Sequence, residues 1–227
     1  MNVEVLYRPS YSIANVALQA NEAISAESGA MVSMSAGIEV ETGTRGGLLK
    51  SLTRSVLGGE SFFMNTFRAG GAGGEIMLAP TLPGDVARVS LSGDSLLVQS
   101  GSFLAGSEGV EVDTKWGGAK TFIAREGLIM LHCSGQGELI LSSYGAMHEV
   151  QLGQGESITV DTGHLVAFSD TLEFDVRRVG GLRSTLFSGE GLVVDLTGPG
   201  SVTLQTRSED AFLSWLIPKI PKRSDSD

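Results

Sequence analysis

Ser95–Asp113, SLLVQSGSFLAGSEGVEVD, lies without a gap on Ser157–Asp175, SITVDTGHLVAFSDTLEFD. The identical pairs are Ser95/Ser157, Val98/Val160, Gly101/Gly163, Ala105/Ala167, Ser107/Ser169, Glu111/Glu173 and Asp113/Asp175. Ala23–Glu41, AISAESGAMVSMSAGIEVE, aligns on both, so Gly29, Gly101 and Gly163 coincide, as do Ser35, Ser107 and Ser169. The apolar positions Met31/Phe103/Leu165, Val32/Leu104/Val166 and Ile38/Val110/Leu172 fall together as well. Self-similarity at a fixed period is the mark of a repeated structural unit.

Further landmarks keep the same order outside this window. The pairs Gly46-Gly47, Gly117-Gly118 and Gly180-Gly181 come next, then Glu60, Glu126 and Glu190, each opening an apolar run. Strand-like pieces GEIMLA, GELILS and GSVTLQ begin at Gly74, Gly137 and Gly200, 63 residues apart in both steps (137 − 74 and 200 − 137). Apolar and polar residues alternate at Ile38-Glu-Val-Glu, Val110-Glu-Val-Asp, Leu172-Glu-Phe-Asp and Val202-Thr-Leu-Gln, the period-two pattern of half-buried strands. The shared glycines fall between apolar strands, where tight turns commonly need φ > 0.

The expected fold is therefore all-β: three tandem units of roughly 65 residues around a pseudo-threefold axis. One compact β domain is expected over residues 1–208, with repeat landmarks near 22–62, 94–128 and 156–192, followed by a helical turn and tail over 209–227. Two segments depart from the pattern. Leu48–Gly59 places Leu48, Leu49, Leu52 and Val56 on one helical face, with Lys50 and Arg54 on another side and Arg45 just upstream. This predicts one short amphipathic helix insert, ended by Gly58-Gly59. Near the C-terminus, Ala211–Ile217 predicts one or two helical turns, with Phe212, Trp215 and Leu216 docking on the body or on a neighbouring subunit.

Composition narrows the function. Of 227 residues, 31 are Gly and 6 are Pro, with 41% hydrophobic, so the chain is neither collagen-like nor a disordered Gly/Pro tract. No apolar run reaches the length of a spanning helix, and Met1-Asn-Val-Glu-Val lacks the pattern of a secretory signal. With 16 basic against 26 acidic residues the formal charge is −10, which disfavours nucleic acid as a partner unless a local basic patch exists. One cysteine, Cys133, leaves no intrachain disulfide and no multi-cysteine metal site. A cytoplasmic setting is expected.

Gly46–Phe67 (GGLLKSLTRSVLGGESFFMNTF), Glu27–Met34 (ESGAMVSM) and Gly189–Ser208 (GEGLVVDLTGPGSVTLQTRS) together resemble the family related to altered inheritance of mitochondria protein twenty-four. The resemblance spans almost the whole chain, and the Gly-Gly/Gly-Glu-Ser segment is its most specific part. It implies a fold like that of the tryptophan RNA-binding attenuation protein: triplicated, β-rich and prone to symmetric oligomers. Relatives in eukaryotes are linked to mitochondrial inner-membrane organisation, but no Arg-rich, acid-poor transit segment is visible here. The resemblance supplies no catalytic residues.

Tests for chemistry find no convergent set. His132, His148 and His164 are evenly spaced by 16 (148 − 132 and 164 − 148), yet a zinc site needs three or four ligands converging at one point. Adjacent His132 and Cys133 would point to opposite faces of a strand. No Gly-x-Ser-x-Gly elbow is present. The equivalent placement of Glu60, Glu126 and Glu190 is explained by one structural role at a strand start. Gly70-Gly-Ala-Gly-Gly74 lacks the Lys-Ser/Thr and the helix of a phosphate loop and predicts a hairpin connection.

The reading is a non-enzymatic, cytoplasmic, oligomeric scaffold or assembly protein of three or more subunits, without catalytic residue, cofactor or metal. A protein or membrane-surface partner is compatible with it. The alternative is a binding module in which Arg45, Lys50 and Arg54 contact a lipid head group, an RNA or an acidic partner. A metal-dependent hydrolase using the histidines ranks below both.

Overall fold

In the computed structural model, residues 1–42, 55–57, 60–62, 64–113, 128–179 and 191–221 are described, with backbone alone at 42, 55–57 and 60–62. They are predominantly β. The first third holds β1 (Asn2–Leu6), β2 (Ile13–Leu18), β3 (Ala23–Glu27), β4 (Met31–Met34), β5 (Ile38–Thr42), β6 (Ser55–Leu57), β7 (Glu60–Phe62), β8 (Met64–Ala69) and β9 (Gly74–Leu78). The middle third holds β10 (Val86–Ser92), β11 (Leu96–Gln99), β12 (Phe103–Ser107), β13 (Val110–Asp113) and β14 (Met130–Ser142). The last third holds β15 (Met147–Leu152), β16 (Ser157–Asp161), β17 (Leu165–Ser169), β18 (Glu173–Arg178), β19 (Leu192–Thr197) and β20 (Gly200–Gln205).

Strands form where the alternation places them, and their pairing is antiparallel. In the first third β3 and β5 flank β8, while β2 and β4 flank β9. In the last third β16 and β18 flank β19, while β15 and β20 pair and β20 also takes β17. In the middle third a single long strand serves both purposes. The first half of β14 takes β11 and β13, and its second half takes β10 and β12. The switch falls at Gly135 (φ +100°) and Gly137 (φ +146°), and a Cβ at Gly137 would stand 2.1 Å from Ser107 Oγ. Each third also carries a register irregularity at one matching place: Met31/Ser33, Phe103/Ala105 and Leu165/Ala167.

Two joints tie the thirds together. β12 pairs with β3, placing Ala105 opposite Ala26 and Gly106 opposite Ser25. β17 pairs with β11, placing Ala167 opposite Val98 and Phe168 opposite Leu97. Burial follows the same series. One core joins Val16, Ile24, Phe67 and Ile76 of the first third to Leu104 and Ile140 of the middle. A second surrounds Phe103, Leu131 and Leu139, with Met64 entering from the first third and Val166 and Ala167 from the last. A third packs Phe168, Val194 and Leu196 against Leu97 and Leu128, with Phe174 edge-on to Phe168 at 5.3 Å.

Three expectations need correction. Of the shared glycines, Gly29 has the left-handed backbone (φ +92°), whereas Gly101 and Gly163 sit in short 3-10 turns, Ser100–Ser102 and Thr162–His164. Gly163 is small for a different reason: a Cβ there would lie 2.5 Å from Ser208 Oγ. Gly70–Gly73 is no hairpin, because β8 and β9 pair with other strands in separate sheets. Finally, the helix expected over Leu48–Gly59 is overturned at its end. Ser55–Leu57 is strand β6, paired antiparallel with β7, Ser55 opposite Phe62 and Leu57 opposite Glu60. Gly58-Gly59 between two β-capable runs is a two-residue hairpin signal, and here it outweighs the helical spacing of Val56. The remainder of that helix lies outside the described residues.

A helix does form near the C-terminus, at Glu209–Leu216, with a 3-10 turn at Ile217–Lys219. It starts earlier than the apolar residues suggest because Ser208 caps it, its Oγ accepting the Ala211 N–H at 3.3 Å. Glu209 and Asp210 occupy the first turn, where the helix dipole favours negative charge. Phe212 meets Tyr144 of the body edge-on at 6.1 Å. Trp215 instead stacks on Phe212 and takes the Lys219 ammonium over its ring at 5.1 Å, remaining 59% exposed. Leu216 is half-buried.

Candidate functional site

One recess among the described residues is a groove of about 1190 Å³ whose lining includes Glu27, Gln99, Asp161, Tyr144, His164 and Glu209. Glu27, Gln99 and Asp161 end β3, β11 and β16 respectively, and they are the residues two positions before Gly29, Gly101 and Gly163. The C-terminal helix closes one side through Glu209–Ala211 and Leu213. Serines are abundant in it, and Arg178 contributes a positive charge.

Several of its polar groups hold the walls. Asp161 Oδ1 accepts the Gly163 N–H at 2.8 Å, which fixes the 3-10 turn. His164 Nδ1 lies 2.8 Å from the Gln205 carbonyl oxygen. The Gln205 side chain donates to the Gly163 carbonyl at 2.9 Å and accepts the Tyr144 N–H at 2.8 Å, so β20 anchors both the turn and the loop between β14 and β15. Glu27 differs: burial pushes its carboxyl up to about 7, because a carboxylate loses hydration there. This arrangement can present polar and acidic groups to a solute. None of these hydrogen bonds pairs a nucleophile with a base.

The sequence-derived candidates are dispersed. Arg45, Lys50 and Arg54 lie outside the described residues, as do Glu126 and Glu190, while Glu60 opens β7. His132 is on β14, half-buried, with Nε2 3.6 Å from Asp170. His148 is exposed on β15 and His164 is in the groove. Strand alternation separates His132 from Cys133, which is fully buried in the middle core, and that burial pushes the thiol up to about 12, away from the thiolate a nucleophile needs. Among the described residues, no group of three or more His, Cys, Asp or Glu could hold a metal ion, and no helix is long and apolar enough to cross a membrane.

Sequence reasoning missed two features. The matched polar ends Glu27, Gln99 and Asp161 were visible in the alignment, two residues before each shared glycine. The second is a polar knot around Asp85, which is 2% exposed. Arg8 donates to it through Nε at 2.9 Å and Nη2 at 2.7 Å, Ser12 Oγ donates at 2.9 Å, and the Val86 N–H donates at 2.9 Å. Burial alone would raise the Asp85 carboxyl; these donors outweigh it and hold the group below its ordinary value. Arg8 and Asp85 are 77 residues apart, so no local pattern announces them.

Comparison with known proteins places this arrangement. The profile of the family described as mitochondrial biogenesis AIM24 matches residues 3–207. An uncharacterised protein of Streptococcus pyogenes serotype M6, M6_Spy0233, is 29% identical over 182 residues, covering 79% of this chain and 73% of that protein. The crystal structure of protein SPYM3_0169 from Streptococcus pyogenes superposes with a TM-score of 0.79 over 96% of this chain and 99% of that one, at 23% identity. That likeness concerns the fold.

Proposed function

The chain belongs to the mitochondrial biogenesis AIM24 family, and from that premise we propose that it is a non-enzymatic scaffold or assembly protein working as a homo-oligomer of three or more subunits. The observation that carries this reading is an exposed apolar strand. All four residues of β4 are exposed, with Met31 at 41%, Val32 at 55% and Met34 at 40%. The matching residues of β12 and β17, Phe103 to Gly106 and Leu165 to Phe168, are all buried. An uncovered strand edge of apolar side chains is a template for association that proteins normally cover. The His164 and Asp161 contacts to the groove walls and the buried Cys133 thiol are compatible with a structural role.

The same reading treats the chain as three tandem units with pseudo-threefold repetition. Support comes from the recurrence of four strand pairings and one bulge in each third. Light scattering or native mass spectrometry at micromolar concentration tests the oligomer. A mass of three or more times 23.7 kDa is expected, and a single-chain mass overturns the proposal.

A further inference from the structure

Among the described residues, eleven large hydrophobic side chains are exposed, and five of them, Phe212, Leu213, Trp215, Ile217 and Ile220, fall within nine consecutive positions (212–220). That density sets the C-terminal helix and its 3-10 turn apart, and neither element buries a residue. The two sides of the helix differ. Glu209, Asp210, Leu213 and Ser214 line the groove, whereas Phe212, Trp215 and Leu216 recur at i, i+3 and i+4 along another side. Phe212 meets Tyr144 and Leu216 is half-buried, which attaches this side to the body. Trp215 has Phe212 and Lys219 as ring partners and still keeps more than half of its surface in water.

The 3-10 turn extends the apolar surface. The Ile220 N–H donates to the Ile217 carbonyl at 3.2 Å. Residues three apart in such a turn lie over one another, so Ile217 and Ile220, 61% and 55% exposed, share a side. Trp215, Ile217 and Ile220 thus form a ridge with the Lys219 ammonium beside it.

Charge is segregated along the same segment. Ala211–Arg223 holds Lys219, Lys222 and Arg223 and no acidic residue, a net +3 (3 − 0) in a chain of −10. Glu209 and Asp210 stand at the far end of the helix, on the groove side, and Asp225 and Asp227 follow the basic residues. The other exposed apolar strand, β4, offers no such combination, since no Lys or Arg occurs between Ala23 and Glu41. Aromatic and branched aliphatic side chains beside lysine match a bilayer interface: the apolar bodies enter the acyl boundary while the ammonium reaches the lipid phosphates. Eight helical residues are far fewer than the roughly 20 needed to span, so the ridge can only lie on a surface.

We propose that Trp215, Ile217, Lys219 and Ile220 form a docking ridge for the surface of an anionic lipid bilayer. Anionic lipid is the occupant because apolar area and positive charge coincide here, and basic residues near such a surface each add to binding. The oligomeric reading is not required, since one chain carries the whole ridge; several linked copies would strengthen the contact by avidity. A protein partner would also cover an apolar ridge, and the experiment separates the two.

Vesicle flotation tests the proposal, comparing phosphatidylserine–phosphatidylcholine vesicles with phosphatidylcholine alone. Wild-type protein should float with the anionic vesicles and much less with the neutral ones. Its affinity for the anionic vesicles should fall about tenfold or more in W215S/I217S and about fivefold in Lys219→Gln. Tyr11→Ser, at a side chain 75% exposed elsewhere, should bind as wild type does. The far-ultraviolet spectrum and the mass of W215S/I217S in vesicle-free solution should match those of wild type. Wild-type protein that fails to float, or W215S/I217S that floats as well as wild type, overturns the proposal. Equal flotation on both vesicle types overturns the anionic assignment. A changed mass for W215S/I217S in vesicle-free solution makes the ridge a contact between protein chains and overturns the membrane assignment. The oligomeric reading is judged separately, by the mass of the wild-type protein.

Discussion

β12 and β4 stand at matching places in the sequence and live in opposite surroundings. Phe103-Leu-Ala-Gly106 has β14 on one side and β3 on the other and is wholly buried. Met31-Val-Ser-Met34 has β9 on one side and is wholly exposed. Both are short apolar strands with the same bulge against their shared partner class. The difference teaches that between these two matching strands full burial accompanies the second neighbour. For this pair, alternation selects the strand conformation, and the joint with β3 accompanies the exclusion of water from β12.

The largest effect should come from emptying the closed joint. Phe103→Ala removes a fully buried ring from the middle core and should cost about 3–5 kcal/mol, measured by urea unfolding. The counterpart Met31→Ala should cost under about 0.5 kcal/mol in dissociated chains, since its side chain is already hydrated. A comparable cost for both would break the comparison. A cost for Met31→Ala that grows with protein concentration would sharpen it, because burial would then be supplied by assembly.

Next comes the Asp85 knot, which ties the loop after β1 to the start of β10. Asp85→Ala leaves the Ser12 hydroxyl and the Val86 N–H without their acceptor and should cost about 1–3 kcal/mol. Arg8 keeps access to water, being 55% exposed, which limits the loss. The folded carboxyl is held below its ordinary value of 3.8, so its contribution is present above that pH and is lost as pH falls through the folded value. The gap between wild type and Asp85→Ala should therefore narrow in acid.

Glu27 should behave in the reverse sense. Its folded value, raised from 4.5 to about 7 by burial, favours the folded state below 4.5, and that benefit fades as pH rises through 7. Glu27→Gln should raise the melting temperature at about pH 8.5 and leave it unchanged at about pH 4, read by differential scanning fluorimetry. The smallest effect belongs to the Arg88–Glu138 pair across β10 and β14, 2.7 Å from Nη2 to Oε1. A double-mutant cycle should return about 0.2–1 kcal/mol, fading in high salt.

Much of the strand layout was legible in the sequence because period-two alternation is local. Ile38-Glu-Val-Glu and Val110-Glu-Val-Asp announce β5 and β13 from their own residues. The helix over Leu48–Gly59 failed at Ser55–Leu57 because helical spacing and a Gly-Gly hairpin signal coexist there, and pairing with Glu60–Phe62 decides between them. Gly163 was read as a turn glycine, whereas its requirement is room for Ser208, 45 residues later (208 − 163). The groove was partly legible through Glu27, Gln99 and Asp161. The Gln205 carbonyl that meets His164 was not, since a backbone contact leaves no trace in residue type.

From the residues alone came the β class, the position of most strands, the matched landmarks and a single isolated thiol. These depend on side-chain alternation, turn chemistry and composition, which act over a few residues. Only the tertiary structure decided which strands acquire a second neighbour, that Asp85 is buried with Arg8, and that Glu27 is desolvated. Such properties depend on what distant segments exclude from water. Met31–Met34 and Phe103–Gly106 carry similar patterns, and their different fates come from what lies beside them.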